Sequence, residues 1–304
     1  MRVVSLLPAA TEIAAALGCL DALVGVSHEC DHPPEVLRLP RVTHCEIHGG
    51  GLPSAEADRW VAETLARTGT LYTLEEELVR KLRPDVILTQ RLCDVCAVSF
   101  GTVAAFAATL PGPPLVVSLE PSSLADVLGD IRRVAQALGV PDRGAAVIAA
   151  LERRIETVRV RTGSAPRRRC VILEWVDPPY RSGHWNPELV EIAGGLEALG
   201  RPGTDAARVS WEAVVDAAPD VLVVACCGYD VARTRADLPL LRSYPGWSTL
   251  PAVRTGESWI VDGSAYFSRP GPRIVDSLEL LGAILHPELF GTDLPPDAAE
   301  RATA

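Results

Sequence analysis

With 304 residues, 48% of them hydrophobic and 22% charged, the chain has enough apolar side chains for two ordinary domains and too many for a disordered protein. The formal net charge of −10 and the acidic pI of 5.2 disfavour a nucleic-acid surface, which needs a basic face to neutralise phosphates. No stretch reaches the ~18 consecutive apolar residues of a membrane-spanning helix.

The opening "MRVVSLLPAATEIAAALG" has a basic residue before apolar ones, but Pro8, Thr11 and Glu12 interrupt it in a way that a secretion signal does not tolerate. It parses instead as a strand, Val3–Leu7, and a helix that starts near Pro8 and stops at Gly18. As written, the chain reads as cytoplasmic; a start further upstream would make it periplasmic or extracellular.

Further strands are expected at Ala22–Ser27, Asp85–Thr89, Leu115–Leu119, Cys170–Trp175, Asp220–Ala225 and Ser258–Val261. Amphipathic segments lie between them, at Ala55–Arg67, Glu75–Leu82, Val98–Leu110, Pro187–Ala193 and Trp211–Ala217. Such alternation predicts an α/β protein with mostly parallel sheets. The rhythm breaks between Ser122 and Arg161, where helical periodicity runs on without a strand and "GVP" at 139–141 divides it in two. The reading is two Rossmann-like α/β lobes, 1–120 and 166–290, joined by a helical spine over 121–165, with a ligand cleft between them and a disordered tail at 291–304. Two pieces repeat, "LRPDVILTQ" at 82–90 and "AAPDVLVVA" at 217–225, each a helix end, a Pro-Asp turn and a buried strand.

In parallel α/β sheets ligands bind beyond the carboxyl ends of the strands. Reading each strand to its end collects Pro8; Glu29, Cys30 and His32 from "HECDH"; Gln90, Cys93 and Cys96 from "QRLCDVC"; Trp175, His184 and Trp185; Cys226 and Tyr229; and Tyr266 and Phe267. Thiols, imidazoles and aromatic rings with little net charge suit a large, flat, partly apolar ligand, a soft metal, or a metal held in an organic ring. Of the eight cysteines, Cys19 and Cys170 read as core. Cys93 and Cys96 fall where a strand hands over to a helix, a position that lowers a thiol's pKa. Four roles stay open for that pair: a zinc or iron–sulfur centre, a reactive dithiol, contact with a ligand, or packing. No second C-x-x-C completes a four-thiolate site, and there is no G-x-G-x-x-G, phosphate-loop or G-x-S-x-G signature.

"RVVSLLPAATEIAAALGCLDALVGVSHECDHPPEV" resembles the opening of the cobalamin-type periplasmic binding proteins of ABC importers, a group that also takes siderophores and haem. "ILEWVDPPYRSGHWNPELVEIAGG", "PDVLVV" and "AYFSRPGPRIVDSLELLG" continue the resemblance in order. It implies two α/β lobes bridged by a long helix, a non-catalytic role, and a corrinoid or related chelate held at the strand ends. It also implies that Glu212 in the second lobe, and Asp94 in the first, meet an importer permease if the protein is exported. The chain departs from the family's usual pattern in "CDVC", and with no secretion signal recognised as written it resembles a signal-less branch. The partners expected are a small-molecule ligand and no nucleic acid, for a monomeric protein that does not span a membrane. The alternative is a cytoplasmic thiol enzyme or redox protein using the same cysteines.

Overall fold

The computed structural model describes residues 1–45, 52–91, 98–292, 294–295 and 297–302. The chain forms two compact units. One comprises Met1–His48, Arg59–Pro121 and Ala125–Leu151; the other comprises Gly49–Asp58, Ser122–Leu124 and Glu152–Ala304.

The N-terminal unit is built on a parallel sheet of β1 (Val3–Ser5), β2 (Leu23–Val26), β5 (Val86–Gln90) and β6 (Leu115–Leu119), in the order β2-β1-β5-β6. A small antiparallel pair, β3 (Thr43–Cys45) and β4 (Tyr72–Leu74), stands beside it. Every residue of β1 and β5 is buried, as expected of strands covered on both faces. Helix α1 (Pro8–Ala16) follows β1 with proline in its first turn, and Gly18 takes a φ of 67° just past its end. Its buried stripe of Ala9, Ala10, Ile13 and Ala14 is small-sided, which lets it lie close to the strands. Gly25 in β2 is obligatory for packing, since a Cβ there would come within 2.7 Å of both Leu82 and Val42.

Helices α2 (Ser54–Thr68), α3 (Glu76–Leu82) and α4 (Phe100–Ala108) complete the connections of this half of the sequence. The expected spine is two helices, α5 (Leu124–Ala137) and α6 (Pro141–Thr162), broken where glycine and proline predict. The two helices are shared between the units: Ala125–Leu151 belongs to the N-terminal unit, and Leu124 and the residues from Glu152 to the C-terminal one.

The C-terminal unit has a sheet in the order β10-β8-β7-β11-β12-β13, formed by β7 (Arg168–Trp175), β8 (Tyr180–Arg181), β9 (Gly195–Glu197), β10 (Ala207–Arg208), β11 (Val221–Val224), β12 (Ser258–Val261) and β13 (Ala299–Arg301). Strand β9 pairs with the start of β7, and β7, β11 and β12 run parallel. Helices α7 (Asn186–Ile192), α8 (Trp211–Ala217) and α9 (Val231–Ala236) flank it. The core packs Val171, Leu173, Leu222, Val224 and Ile260 against Trp211, Leu241 and Trp247. One expectation fails here. The tail is not disordered throughout, because Ala299–Arg301 adds an antiparallel strand to β12 and Ala302 is buried. Arg235 ion-pairs with Glu300, and Arg301 with Glu257, which ties a polar, proline-rich segment to the sheet edge despite its composition.

The two Pro-Asp repeats have one structure. Arg83 and Ala218 both take a φ of 44° before the proline, ending their helices in the left-handed region that proline leaves open to the residue before it. The aspartate then clasps the neighbouring strand. Asp85 Oδ2 accepts from the Arg2 amide at 2.7 Å, and Asp220 Oδ2 accepts from the Arg169 amide at 2.8 Å.

Candidate functional site

At the carboxyl ends of β1 and β2, the N-terminal unit gathers buried hydroxyls. Ser5 donates to Leu7 O, and Thr11 donates to Ser5 Oγ at 2.8 Å. With the Thr11 proton so committed, the Cys30 thiol, 3.1 Å away, is the donor to Thr11 Oγ1. Thr43 on β3 donates to Ser27 Oγ and accepts from the His28 amide, while its Oγ1 lies 2.8 Å from His28 Nδ1. The Arg41 guanidinium donates to the carbonyls of Ser27 and Cys30, so the turn after β2 is held from both sides. Burial, reinforced by His44 and Arg41, keeps the His28 imidazole below its usual range, and it packs on Tyr72 with ring centres 5.4 Å apart. Tyr72 in turn donates to Glu29 at 3.0 Å. Pro8 is half-buried at the start of α1, Glu29 and His32 are exposed, and Gln90 is buried at the end of β5.

The C-terminal unit presents aromatic rings at the corresponding strand ends. Half-buried Trp175, the last residue of β7, packs on Tyr229 beyond β11 with ring centres 4.9 Å apart. Arg233 lies over the other ring system of this group, 4.3 Å from the Tyr229 centroid, and pairs with the buried Asp237 carboxylate at 3.2 Å. Burial raises the Tyr229 phenol, against the Arg233 charge that favours ionisation. After β12, Asp262 caps a short π-turn, Gly263–Phe267, by accepting from the Ala265 amide, and Tyr266 stands half-buried with Arg273 5.8 Å from its ring. Gly263 is required there because any Cβ would collide with the Cys226 carbonyl.

Two carboxylates hold turns of this unit. Glu174 fixes the loop that carries His184 and Trp185 by accepting from the Gly183 amide and Asn186 Nδ2, and Glu197 holds the turn after β9 by accepting from the Leu199 and Gly200 amides. Burial raises the pKa of both; Glu197 reaches about 7 despite the hydrogen bonds that oppose the shift. His184 takes a φ of 52° and lies 3.3 Å from Asp205.

The expected residues divide into surface and support. Pro8, Glu29, His32, Trp175, His184 and Tyr266 keep exposed area, while Cys30, Gln90, Trp185, Cys226, Tyr229 and Phe267 are buried. Trp185 is a strut, its indole donating to Phe267 O at 2.9 Å. Cys226 is wholly buried and its thiol is pushed well up, so it is neutral and packs in the core; the exposed thiol of this pair is Cys227. Cys170 is core as expected, whereas Cys19 is half-buried. Cys93, Cys96 and Asp94 lie outside the described residues. Among the described residues no group of three or more His, Cys, Asp and Glu is placed to hold a metal, and no helix is long and apolar enough to cross a membrane. Glu212 is exposed in the first turn of α8, which Ser210 caps. Residues that sequence reasoning passed over include Thr43, Tyr72, Glu174, Asn186 and Arg233. Only Arg233 left a local signal, following the capping Asp230 by three residues and preceding Asp237 by four.

Comparison with known proteins gives a consistent result. Residues 3–262 match the model of a family described as periplasmic binding protein. A vitamin B12-binding protein of Vibrio cholerae is 23% identical over 288 residues, which cover 91% of this chain and 86% of that one. An uncharacterized ABC transporter substrate-binding lipoprotein of Bacillus subtilis is 22% identical, over 95% of this chain and 81% of its own length. Among solved structures, the periplasmic heme-binding protein RhuT from Roseiflexus sp. RS-1 superposes with a TM-score of 0.69 at 27% identity, covering 93% of this chain and 97% of that one. The periplasmic vitamin B12 binding protein BtuF of Vibrio cholerae superposes at 0.66 with 21% identity, covering 93% and 96%. These relatives are binding proteins, so they lend nothing to the thiol-enzyme alternative, to a zinc or iron–sulfur centre, or to a cytoplasmic address.

Proposed function

Because the chain belongs to the periplasmic binding protein family, we propose that it binds a flat metal chelate of the corrinoid or haem class and delivers it to an ABC importer. The observation that carries the reading is the Trp175–Tyr229 pair at the ends of two parallel strands, in a chain whose relatives bind vitamin B12 and heme. A half-buried indole offers a conjugated ring the contact area and quadrupole that favour offset stacking. Tyr266 adds a second ring from the turn after β12. In the N-terminal unit, the exposed Glu29 and His32 stand on a turn already saturated with internal hydrogen bonds, which pre-organises it. Cys93 and Cys96 follow β5 in sequence and are proposed as further contacts. Glu212 is the surface carboxylate offered to a permease, with Asp94 as its first-unit counterpart. The place of action is that of the relatives, outside the cytoplasmic membrane.

The test is titration of the purified protein with cyanocobalamin, cobinamide and haemin, followed by calorimetry and visible absorbance. One of the three binds with a spectral shift, and Trp175→Ala weakens it about tenfold, the worth of one aromatic stack. Silence with all three ligands overturns the reading.

A further inference from the structure

Leu52–Asp58 stands more than 100 residues before Trp175 in the sequence, yet it belongs to the C-terminal unit. Three anchors hold it there. The Arg233 guanidinium donates to Leu52 O. The Trp175 indole N–H, shared with Asp177 O, donates to Ser54 O at 3.2 Å. The Asp58 carboxylate accepts from Arg208 at 2.8 Å, and the same guanidinium donates to the Tyr180 hydroxyl and covers its ring. These anchoring side chains are the proposed ligand platform or its immediate neighbours: Trp175 and Arg233 both pack on Tyr229.

The indole N–H and the guanidinium are the polar handles of an otherwise apolar face, and each is spent on a main-chain carbonyl of this segment. A peptide carbonyl supplies the acceptor that an amide- or carboxylate-bearing chelate would bring. The seat is also imperfect: Ser54 Oγ is buried with no hydrogen-bond partner among the described residues, an uncompensated group that lowers the cost of release. Pro53 is exposed and makes no anchor of its own, apart from starting α2 through its carbonyl.

The geometry points to Leu52–Asp58 as a strap that occupies the Trp175–Arg233 edge of the platform and competes with ligand for it. The inference rests on the binding role proposed above. Ligand entry then exchanges one set of acceptors for another, and the strap's docking energy is subtracted from the ligand's affinity.

The experiment uses the double variant Pro53→Gly/Asp58→Ala, which removes the ionic anchor and loosens the entry to α2, whose first residues form the strap, without touching the platform. Cyanocobalamin and haemin are titrated into both proteins, and hydrogen exchange is followed over residues 52–61 with and without saturating ligand. A competing strap predicts affinity raised about threefold or more in the variant, and faster exchange over 52–61 when ligand binds. Unchanged or weaker affinity, or ligand-induced slowing of exchange, overturns it and makes the segment a wall of the site. If the variant binds where the parent does not, the strap is supported directly. If neither protein binds either chelate, the binding reading has failed, and the strap is judged by Trp175→Ala alone. Faster exchange over 52–61 in that variant upholds the seat, and unchanged exchange overturns it.

Discussion

The two units begin their central strands alike and end them differently. In each, a left-handed residue, a proline and an aspartate lead from helix to strand, and the aspartate clasps the amide of the neighbouring strand. At the other end the N-terminal unit locks serine, threonine and cysteine side chains into one another, while the C-terminal unit leaves a half-buried tryptophan at its rim, tilted against a buried tyrosine. The strand starts meet the same need in both units, which is to satisfy backbone groups while reversing direction. The strand ends have no such common duty and have diverged into a rigid polar frame and an aromatic platform.

The sharpest way to test that division is within the C-terminal unit, between two tryptophans ten residues apart. Trp185 is 5% exposed and braces the π-turn through Phe267 O, whereas Trp175 is half-buried at the rim. Trp185→Ala removes a buried indole and orphans a carbonyl, so urea denaturation should show a loss of about 3–5 kcal/mol. Trp185→Phe, which keeps most of the packing, should recover more than half of it. Trp175→Ala should cost clearly less stability while carrying the larger loss of ligand affinity. Equal stability losses at the two positions would erase the distinction between strut and platform.

The units also differ in how they bury a carboxylate. Asp130 in α5 is nearly inaccessible and raised to about 7 by burial, against the Arg133 charge beside it. Glu197 is raised to about 7 by burial with only hydrogen-bond donors to oppose the shift. A carboxyl whose pKa is higher in the folded chain than in the unfolded one makes the folded chain take up protons preferentially. Stability therefore falls as pH rises from about 4.5 to about 7 and stays lower above that window. For Glu197 the span corresponds to something on the order of 3 kcal/mol. Glu197→Gln should flatten the decline measured by urea denaturation at pH 5 and pH 8. Asp130→Asn should flatten it less, because it also frees Arg133. A slope unchanged in Glu197→Gln would show that the carboxylate is solvated.

Most of the scaffold was legible because it follows from periodicity. The strands Leu115–Leu119 and Ser258–Val261 and the helix Trp211–Ala217 have the expected bounds, and the other expected elements differ by a few residues at their ends. Elements of two or three residues, such as β3, β4, β8, β10 and β13, carry too few side chains for alternation to register. The site was legible as a set of positions, since strand ends can be counted off, but not as roles. Nothing local distinguishes Trp175 from Trp185, or Cys226 from Cys227; burial decides, and burial comes from the tertiary packing. The strap was invisible for the same reason, because its anchors are separated from it by more than 100 residues.

The polar frame of the N-terminal unit offers the last test. Thr43 Oγ1 donates to Ser27 Oγ and accepts from the His28 amide, and its contact with His28 Nδ1 fixes the ring against Tyr72. Thr43→Val keeps the shape and the strand propensity but removes every one of these bonds. The His28 amide is left without its acceptor beside a strand end, at a cost of about 1–3 kcal/mol. Thr73, paired across the same two strands with His44, is exposed, so Thr73→Val should change stability by no more than ~0.5 kcal/mol. If the frame serves to hold the turn bearing Glu29 and His32, Thr43→Val should also speed hydrogen exchange over residues 27–32 while leaving the peptides around Trp175 and Tyr229 unchanged. An effect of equal size in both units would mean that the polar frame and the aromatic platform are not the independent constructions their chemistry describes.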